Sequence, residues 1–310
     1  MFLLRGIAVS VALFWLSNCG LSVLVAWSWP LLARLRSLTP RVYANLLISA
    51  RALPLVLSLL VAVLFAAPSF ILLEPRGAEE EIGLVPMILS ACCLAFLVAG
   101  VVRAIRAQSS TSRVIAGWLH GARSVDLGAP AATFQGTGVI PPLTLAGVCR
   151  PRLLLSESAV AALSGDELRV AVRHEIAHIE SRDNLKKLAL RFAWFPGMRR
   201  LEREWQHAAE LAADDAAVSN AEEALDLAEA LIKLSRQVTL QVLPAISMGL
   251  VQDAFVSVRI ARLLNWEAPR SRGSLCWVVV AAAVGVVAVT AAVYGGLLTQ
   301  THTITEWLVR

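Results

Sequence analysis

Charged residues are scarce in this sequence, and their scarcity argues against an ordinary soluble protein. They make up 16% of the 310 residues, whereas hydrophobic residues make up 57% and the mean hydropathy is +0.66. Soluble domains carry about 25% charged residues. A chain this apolar could not cover its surface with polar groups in water, so we expect much of it to face lipid.

Cysteine is also rare, and its spacing does not suit bridges or metal binding. The five cysteines are odd in number and include no C-x-x-C pair, which argues against a disulfide framework or a cysteine-ligated metal. Four of them lie in or beside apolar runs, where cysteine behaves as a small hydrophobic residue. The positions are Cys19, Cys92, Cys93, Cys149 and Cys276.

Four apolar runs are long enough to cross a bilayer, which takes about 20 residues. The first is too long for the apolar core of a signal peptide, which has roughly 7–15 residues. It also ends at Trp27 and Trp29, a pair typical of an interfacial anchor, so we interpret it as a retained span. The four runs cover residues 7–29, 52–73, 82–102 and 275–298.

The loops between these runs predict the orientation. Arg34, Arg36, Arg41 and Arg51 follow the first run without an acidic neighbour, whereas the next loop, residues 74–81, is acidic. Cytoplasmic loops carry the excess of arginine and lysine, so we expect both termini outside and the long segment between the third and fourth runs inside. Most of the net charge of +5 then belongs to these loops, and nucleic acid is not an expected partner.

The long segment, residues 104–272, combines a short β-hairpin with amphipathic helices. Residues 143–148 and 153–156 are each predicted to form a strand, and the two strands to pair as a short hairpin. Ser164 and Glu167 match a capping box, which begins a helix that runs to about Trp194. Further helices are predicted over residues 104–119, 199–219, 221–242 and 251–264.

His174 and His178 carry the strongest chemical signal. Two histidines four residues apart project from one helix face, at the separation that one zinc ion needs for two imidazole ligands. Glu175 is rotated from His174 by about 100°, so it can take a proton from a polarised water rather than bind the metal. The pattern H-E-x-x-H therefore predicts a catalytic metal site with Glu175 as the base.

Glu210 offers a third ligand. Glu210 and Asp214 are again four residues apart on one predicted helix, and a helical hairpin turning at Pro196 would bring them toward the histidines. Two histidines and one glutamate with a fourth position for water form an open catalytic zinc set, with one ion per chain. Asp214 and Asp215 are the rival ligands.

His207 is a candidate for the residue that would stabilise the oxyanion. No tyrosine lies in residues 104–272, and His207, one turn before Glu210, could act as the transition-state helper. A polar surface or structural histidine is the alternative reading of His207. Arg259 and Arg262 are interpreted as interface or positive-inside charges, and His302 as a loop residue beyond the last span.

Several consecutive motifs lie in the predicted domain. They are residues 150–156 and 163–168, the H-E-x-x-H helix, Arg182-Asp183-Asn184, Trp194-Phe195-Pro196, and Glu210 to Asp214. Together they resemble the membrane zinc metallopeptidases of the BlaR/MecR type, the beta-lactam sensor-transducers and their sensorless relatives. HtpX-type membrane proteases share the two zinc motifs and are the nearest cousins. The resemblance covers about residues 145–264 and the arrangement of three spans before the domain and one after.

The resemblance implies a mainly α fold. Four spanning helices would accompany a cytoplasmic gluzincin-like zinc protease domain, built from a helical hairpin and a small β-hairpin between spans three and four. It also implies that Glu210 is the third zinc ligand and that Asp214 supports the site. Antibiotic-sensing members carry a large extracellular penicillin-binding domain that does not follow Leu298 in this sequence, so direct beta-lactam sensing is not expected.

These observations predict three spans in residues 1–103, a cytoplasmic zinc metallopeptidase domain in residues 104–272, and a fourth span with a short outer tail in residues 273–310. The expected partners are the lipid bilayer and a protein substrate, either a repressor or a membrane protein, cleaved in regulatory signalling. The alternatives are HtpX-like quality control of membrane proteins and a non-catalytic membrane signal transducer. Arginine outnumbers lysine 25 to 3 in an alanine-rich sequence, which is typical of a GC-rich bacterium. The expected location of the apolar spans is then a bacterial inner membrane.

Overall fold

The protein is mainly helical, with three long apolar helices and a small mixed sheet. The chain forms two compact units. One unit comprises Met1–Trp29, Ser49–Val98 and Arg270–Arg310, and the other comprises Pro30–Ile48 and Ala99–Pro269. The computed structural model describes residues 2–75, 83–137, 140–237, 247–249, 255–267 and 290–309.

Three helices are long and apolar enough to cross a membrane, as predicted for the first three runs. They are α1 (Phe2–Trp27), the span Pro40–Leu73, and α5 (Leu84–Leu119). Each is longer than its predicted apolar run, because backbone hydrogen bonding continues into flanking polar residues such as Arg5 and Arg103. The predicted helix over residues 104–119 is confirmed as the continuation of α5.

Short elements join α1 to the second span, which changes its winding once. Helix α2 (Trp29–Ala33) and a 3₁₀ turn (Arg34–Ser37) follow α1. Helix α3 (Pro40–Val61) then passes through a π-helical turn (Ala62–Ala66) into α4 (Ala67–Leu73). Spanning helices tolerate such turns where other groups satisfy the freed backbone.

Pro68 near the start of α4 leaves one carbonyl group for another donor. Proline has no N–H to donate to the carbonyl oxygen of Leu64, four residues earlier. The hydroxyl group of Tyr294 donates to that oxygen at 2.7 Å. The final helix therefore supplies the hydrogen bond that the second span lacks.

The final described helix, which we call α12, covers Tyr294–Val309. The predicted fourth span, residues 275–298, lies for the most part outside the described residues. The sequence placed His302 in a loop, and this is wrong, since His302 lies within α12. Its helical position follows from the continuation of intrahelical bonding past the apolar run, as in the first three spans.

Close packing joins α1 to α4. A Cβ atom at Gly6 would lie 2.6 Å from a ring carbon of Phe70, so the approach requires glycine. The rings of Phe2 and Phe70 are 4.9 Å apart between centroids. Near the same ends, Arg5 Nη2 lies 3.2 Å from Glu74 Oε1.

A five-stranded mixed sheet lies in the second unit, with strand order β1-β2-β4-β3-β5. The predicted hairpin is confirmed, since β3 and β4 pair antiparallel with Leu143 opposite Leu155. The sequence did not predict β1 or β2, because both are short and lie in a stretch rich in glycine and proline. The strands are β1 (Arg123–Val125), β2 (Ala132–Gly136), β3 (Leu143–Ala146), β4 (Arg152–Ser156) and β5 (Ser247–Gly249).

The helices after β4 pack against the sheet around one apolar core. Leu153 and Leu155 of β4 lie in this core with Val170, Leu227 and Leu231, all of them almost fully buried. Helix α7 packs between α9 and α10, so it contributes one face to the core and has another beside α9. The helices are α6 (Glu157–Ala162), α7 (Gly165–Glu180), α8 (Asp183–Phe192), α9 (Arg199–Ala217), α10 (Ala221–Ser235) and α11 (Val256–Leu264).

Candidate metal centre

Helix α7 presents both histidines of the H-E-x-x-H pattern as buried side chains. The predicted capping box is confirmed. The N–H of Glu167 donates to Ser164 Oγ at 3.2 Å, and the N–H of Ser164 donates to Glu167 Oε2 at 2.8 Å. The Nε2 atoms of His174 and His178 lie 3.2 Å apart. The capped helix therefore brings two imidazole nitrogens within reach of one ion.

A sharp turn after α7 places a carboxylate behind His178. The sequence predicted one helix to about Trp194, and this is wrong, because α7 ends at Glu180 and Arg182 adopts a left-handed φ of 54°. The turn brings Asp183 Oδ2 to 2.8 Å from His178 Nδ1. A carboxylate at Nδ1 holds the proton there and leaves the lone pair of Nε2 for a metal.

The residues around Asp183 anchor this turn. Asn184 Nδ2 donates to the carbonyl oxygen of Gly147, which follows β3, at 2.9 Å. Lys186 Nζ lies 3.0 Å from Asp183 Oδ1. Asp183 thus has one oxygen on His178 and the other on a lysine, as expected for a support rather than a metal ligand.

Helix α9 brings Glu210 to the two histidines, as the predicted helical hairpin required. Glu210 Oε2 lies 3.5 Å from His174 Nε2, and Glu210 Oε1 lies 3.7 Å from His178 Nε2. One turn later, Asp214 Oδ1 lies 3.0 Å from His174 Nδ1. Each histidine therefore has Glu210 near its Nε2 atom and an aspartate near its Nδ1 atom.

The three side chains fit a single metal ion. His174, His178 and Glu210 each offer one ligand atom, and these atoms all lie within 4.8 Å of one another. Nitrogen and oxygen ligands bound tetrahedrally at about 2.0–2.1 Å stand roughly 3.3 Å apart. The separations here are 3.2, 3.5 and 3.7 Å, so the buried group could hold a metal ion after small side-chain movements.

The side chain of Glu175 is fully buried. Among the described residues, neither of its carboxylate oxygens has a hydrogen-bond partner. Burial raises the pKa of Glu175 to about 7, although the neighbouring His174 and His178 oppose that rise. A buried carboxylate without partners is costly to maintain, and a pKa near neutrality suits a general base.

Arg259 on α11 completes the centre, and the sequence interpretation of it was wrong. It is not a charge at the membrane interface, since its side chain is fully buried. Its Nη2 and Nε atoms donate to the two carboxylate oxygens of Asp214 at 2.6 and 2.8 Å. Its Nη1 atom lies 2.9 Å from Glu210 Oε2. A positive charge this deep is stable because two carboxylates surround it.

The helical periodicity contained a signal for this burial. Val256, Arg259, Ile260 and Leu263 follow the spacing i, i+3, i+4 and i+7, which is the apolar stripe of an amphipathic helix. An arginine in such a stripe indicates a buried acidic partner. The stripe alone does not say which acid that is.

The charged groups of the centre shift one another's pKa values. Burial alone would raise the pKa of Asp214, but Arg259 holds it at about 2. Arg259 likewise holds the pKa of Glu210 well below its usual range. Burial opposes the charged form of His178, yet Glu210 raises its pKa to about 10. Metal binding at neutral pH would therefore displace a proton from His178.

The rival ligand Asp215 lies in a different environment. Its Oδ1 atom is 2.6 Å from Arg262 Nη1, and the Arg262 side chain is 36% exposed. The sequence interpretation of Arg262 as a positive-inside charge therefore missed a specific partner. In the part of the chain that the structure describes, the buried metal-ligand group contains Glu210 and neither Asp214 nor Asp215.

His207 lies one turn before Glu210 on α9. Its ring stacks on Phe255 with the centroids 4.3 Å apart, and its Nε2 atom is buried without a hydrogen-bond partner among the described residues. The described metal-ligand groups do not include it. This stacking accords with the structural-histidine alternative, and the role of transition-state helper stays a prediction.

Comparison with known proteins does not extend this picture. Neither a scan against protein-family models nor a search of curated proteins returns a match for the chain. The ligand geometry, the buried Glu175 and the supporting carboxylates therefore carry the functional assignment.

Proposed function

We propose that the chain is a multi-pass membrane zinc endopeptidase of the gluzincin type. It hydrolyses peptide bonds of a cytosolic or membrane-associated protein in regulatory signalling. The observation that carries the proposal is the buried centre, where His174, His178 and Glu210 converge beside Glu175, whose carboxylate has no hydrogen-bond partner among the described residues. The H-E-x-x-H spacing and the resemblance to BlaR/MecR-type metallopeptidases support the same assignment.

Zinc is the proposed metal because two imidazoles and one carboxylate suit it best among common divalent ions. When bound, it supplies Lewis-acid polarisation of a water molecule and of the scissile carbonyl group. Asp183 keeps the proton of His178 on Nδ1, and Asp214 lies beside Nδ1 of His174. Once His178 has lost the proton on Nε2, both Nε2 atoms can bind zinc through their lone pairs.

Glu175 performs the proton transfers in this mechanism. Its ionised carboxylate takes one proton from the attacking water as the new carbon–oxygen bond forms. It then gives that proton to the amide nitrogen as the carbon–nitrogen bond breaks, so that the products are a carboxylic acid and an amine. A pKa near 7 allows the same group to accept and return the proton at neutral pH.

The proposed topology has four spans in a bacterial inner membrane, with both termini outside and residues 104–272 in the cytoplasm. Three long apolar helices support the first three spans. The fourth span rests on the apolar run at residues 275–298. The orientation rests on the arginines that follow the first run and on the acidic loop after the second.

The substitution Glu175→Gln tests the proposal. It removes the base but leaves the zinc ligands, so hydrolysis of an unfolded protein substrate should fall by about 10²–10⁴-fold while the zinc content stays at that of the wild type. The measurements are proteolysis and zinc content of the full chain in detergent. Glu180→Gln, an exposed acid on the same helix, should leave both unchanged. Full activity in Glu175→Gln would overturn the assignment.

The substrate class separates two versions of the proposed protease. Comparison of protein levels in cells with the wild type and with Glu175→Gln should show one or two stabilised regulators if the role is signalling. Accumulation of many misfolded membrane proteins would instead favour HtpX-like quality control. The first result is the one we expect.

A non-catalytic signal transducer is a second candidate, and one contact favours it. Arg36, in the turn between the first two spans, donates from Nε to Glu204 Oε1 at 2.6 Å. Glu204 lies on α9, the helix that carries Glu210. The contact links the turn between two spans to the metal helix, as signal transmission would require. An unchanged cellular phenotype in Glu175→Gln would favour this candidate over the protease.

A further inference from the structure

A second group of potential ligands lies in the unit that contains the spans. Glu74 follows the last residue of α4, and His302 and Glu306 are four residues apart on one face of α12. One ligand atom from each of the three lies within 4.8 Å of the others. His302 Nδ1 is 3.8 Å from Glu74 Oε2, and His302 Nε2 is 3.5 Å from Glu306 Oε1.

The charges of this group favour a cation. Arg5 Nη2 lies 3.2 Å from Glu74 Oε1, so one arginine offsets one of the two carboxylates. With a neutral His302, the four side chains carry one net negative charge. Glu74 Oε2 lies 3.8 Å from His302 Nδ1, so this oxygen is placed to serve as the ligand from Glu74.

The imidazole of His302 also lacks a strong partner. Its Nδ1 atom is buried and has no hydrogen-bond partner among the described residues. The Glu74 side chain is 8% exposed, whereas that of Glu306 is 46% exposed. Glu306 can therefore move toward an ion with little cost, while Glu74 and His302 already face each other.

We propose that Glu74, His302 and Glu306 bind a second divalent metal ion, separate from the H-E-x-x-H centre. One imidazole and two carboxylates favour zinc over magnesium or calcium, which prefer oxygen ligands alone. The ion joins α12 to the end of α4 through Glu74, which directly follows α4, and two ligands from α12. Association of the last helix with the second span then depends on the metal concentration at these helix ends.

Zinc binding by the full chain in detergent tests this site. In a background that carries His174→Ala and His178→Ala, the first centre is removed and one equivalent of zinc should still bind. Adding His302→Ala should abolish that binding, whereas adding His120→Ala, an exposed histidine, should leave it unchanged. Absence of the equivalent, or its retention in the His302→Ala chain, would overturn the proposal.

A second variant covers the case in which the double-histidine background does not fold. Glu306→Gln alters a half-exposed residue in an otherwise wild-type chain, so folding should be preserved. Total zinc should fall from two equivalents to one, and proteolysis should be unaffected. Two equivalents in Glu306→Gln would contradict the second site. Loss of the Glu175-dependent proteolysis would bear only on the first.

Discussion

Two groups of histidine and carboxylate side chains make an instructive contrast. In the first, ligand atoms of His174, His178 and Glu210 lie 3.2–3.7 Å apart in the buried interior. In the second, the measured separations around His302 are 3.5 and 3.8 Å, and Glu306 is 46% exposed. Both groups use residues four apart on a helix, so spacing alone does not distinguish them.

The difference lies in what stands behind the ligands. Each histidine of the first group has an aspartate beside its Nδ1 atom, and buried Arg259 contacts Glu210 and Asp214. Both nitrogens of His302 instead face the carboxylates of its own group. Supporting residues orient ligands and raise metal affinity. The first group is therefore preorganised, and the second must rearrange to bind.

Removal of the buried arginine should produce the largest effect. Arg259→Ala leaves two buried carboxylates without their cation, so the free energy of unfolding should fall by about 3–5 kcal/mol. Arg262→Ala, on the same helix but paired at the surface with Asp215, should cost less than about 1 kcal/mol. Thermal unfolding in detergent measures both. Equal costs would show that burial does not set the difference.

Acid should lower the stability of the folded chain by protonating Asp214, which supports the first group. Its pKa is about 2 in the folded chain, against an ordinary value of 3.8. A carboxyl with a lowered folded pKa stabilises the fold above its ordinary pKa and loses that contribution as pH falls through the folded value. The metal-free chain should thus lose about 2 kcal/mol between pH of about 4 and about 2.

Unfolding midpoints measured against pH would show this loss. Asp214→Asn cannot titrate, so its midpoint should change less over the same interval than that of the wild type. An equally steep acid dependence in Asp214→Asn would assign the loss to another group.

Loss of a supporting aspartate should separate the two groups by metal affinity. Asp183→Ala removes the partner of His178 Nδ1, so the zinc dissociation constant of the first group should rise about 10–100-fold. Binding at the second group should not change. Competition with a chromophoric chelator measures both, and Asp166→Ala, an exposed acid on α7, is the matched control. An equal loss at both groups would contradict the contrast.

The smallest effect should come from the cap of the helix that carries the two histidines. Glu167 Oε2 accepts the N–H of Ser164, while its Oε1 atom lies 2.6 Å from Lys233 Nζ. Glu167→Gln keeps the shape of the cap but removes its charge, so stability should fall by about 1 kcal/mol. Glu229→Gln, whose more exposed carboxylate lies 3.6 Å from the same lysine, should have little effect. Thermal unfolding again provides the measurement.

The sequence predicted those features that depend on local spacing. The capping box at Ser164, the pair His174 and His178, and the hairpin of β3 and β4 are each contained within a few residues. Helical geometry or strand pairing then decides where their side chains lie. Glu210 was also found, because the turn at Pro196 suggested that α9 returns along α7.

Features that depend on distant partners could not be predicted in the same way. The partner of Arg259 lies 45 residues earlier in the chain. The apolar stripe that contains Arg259 is a signal for burial, but it does not identify Asp214 as the partner. The parallel pairing of β2 with β4 is likewise non-local. Arg182 adopts a backbone conformation that is uncommon for residues other than glycine, and nothing in its identity predicted the end of α7.

The position of Arg259 along the chain has a consequence for biosynthesis. Arg259 leaves the ribosome after the ligands of the first group and their supporting carboxylates, 85 residues after His174 and 45 after Asp214. At a synthesis rate of about 5–20 residues per second, several seconds pass between the synthesis of Asp214 on α9 and that of Arg259. A nascent chain that stops before α11 carries Glu210 and Asp214 without the arginine that neutralises them. The centre is therefore complete only once α11 has been synthesised.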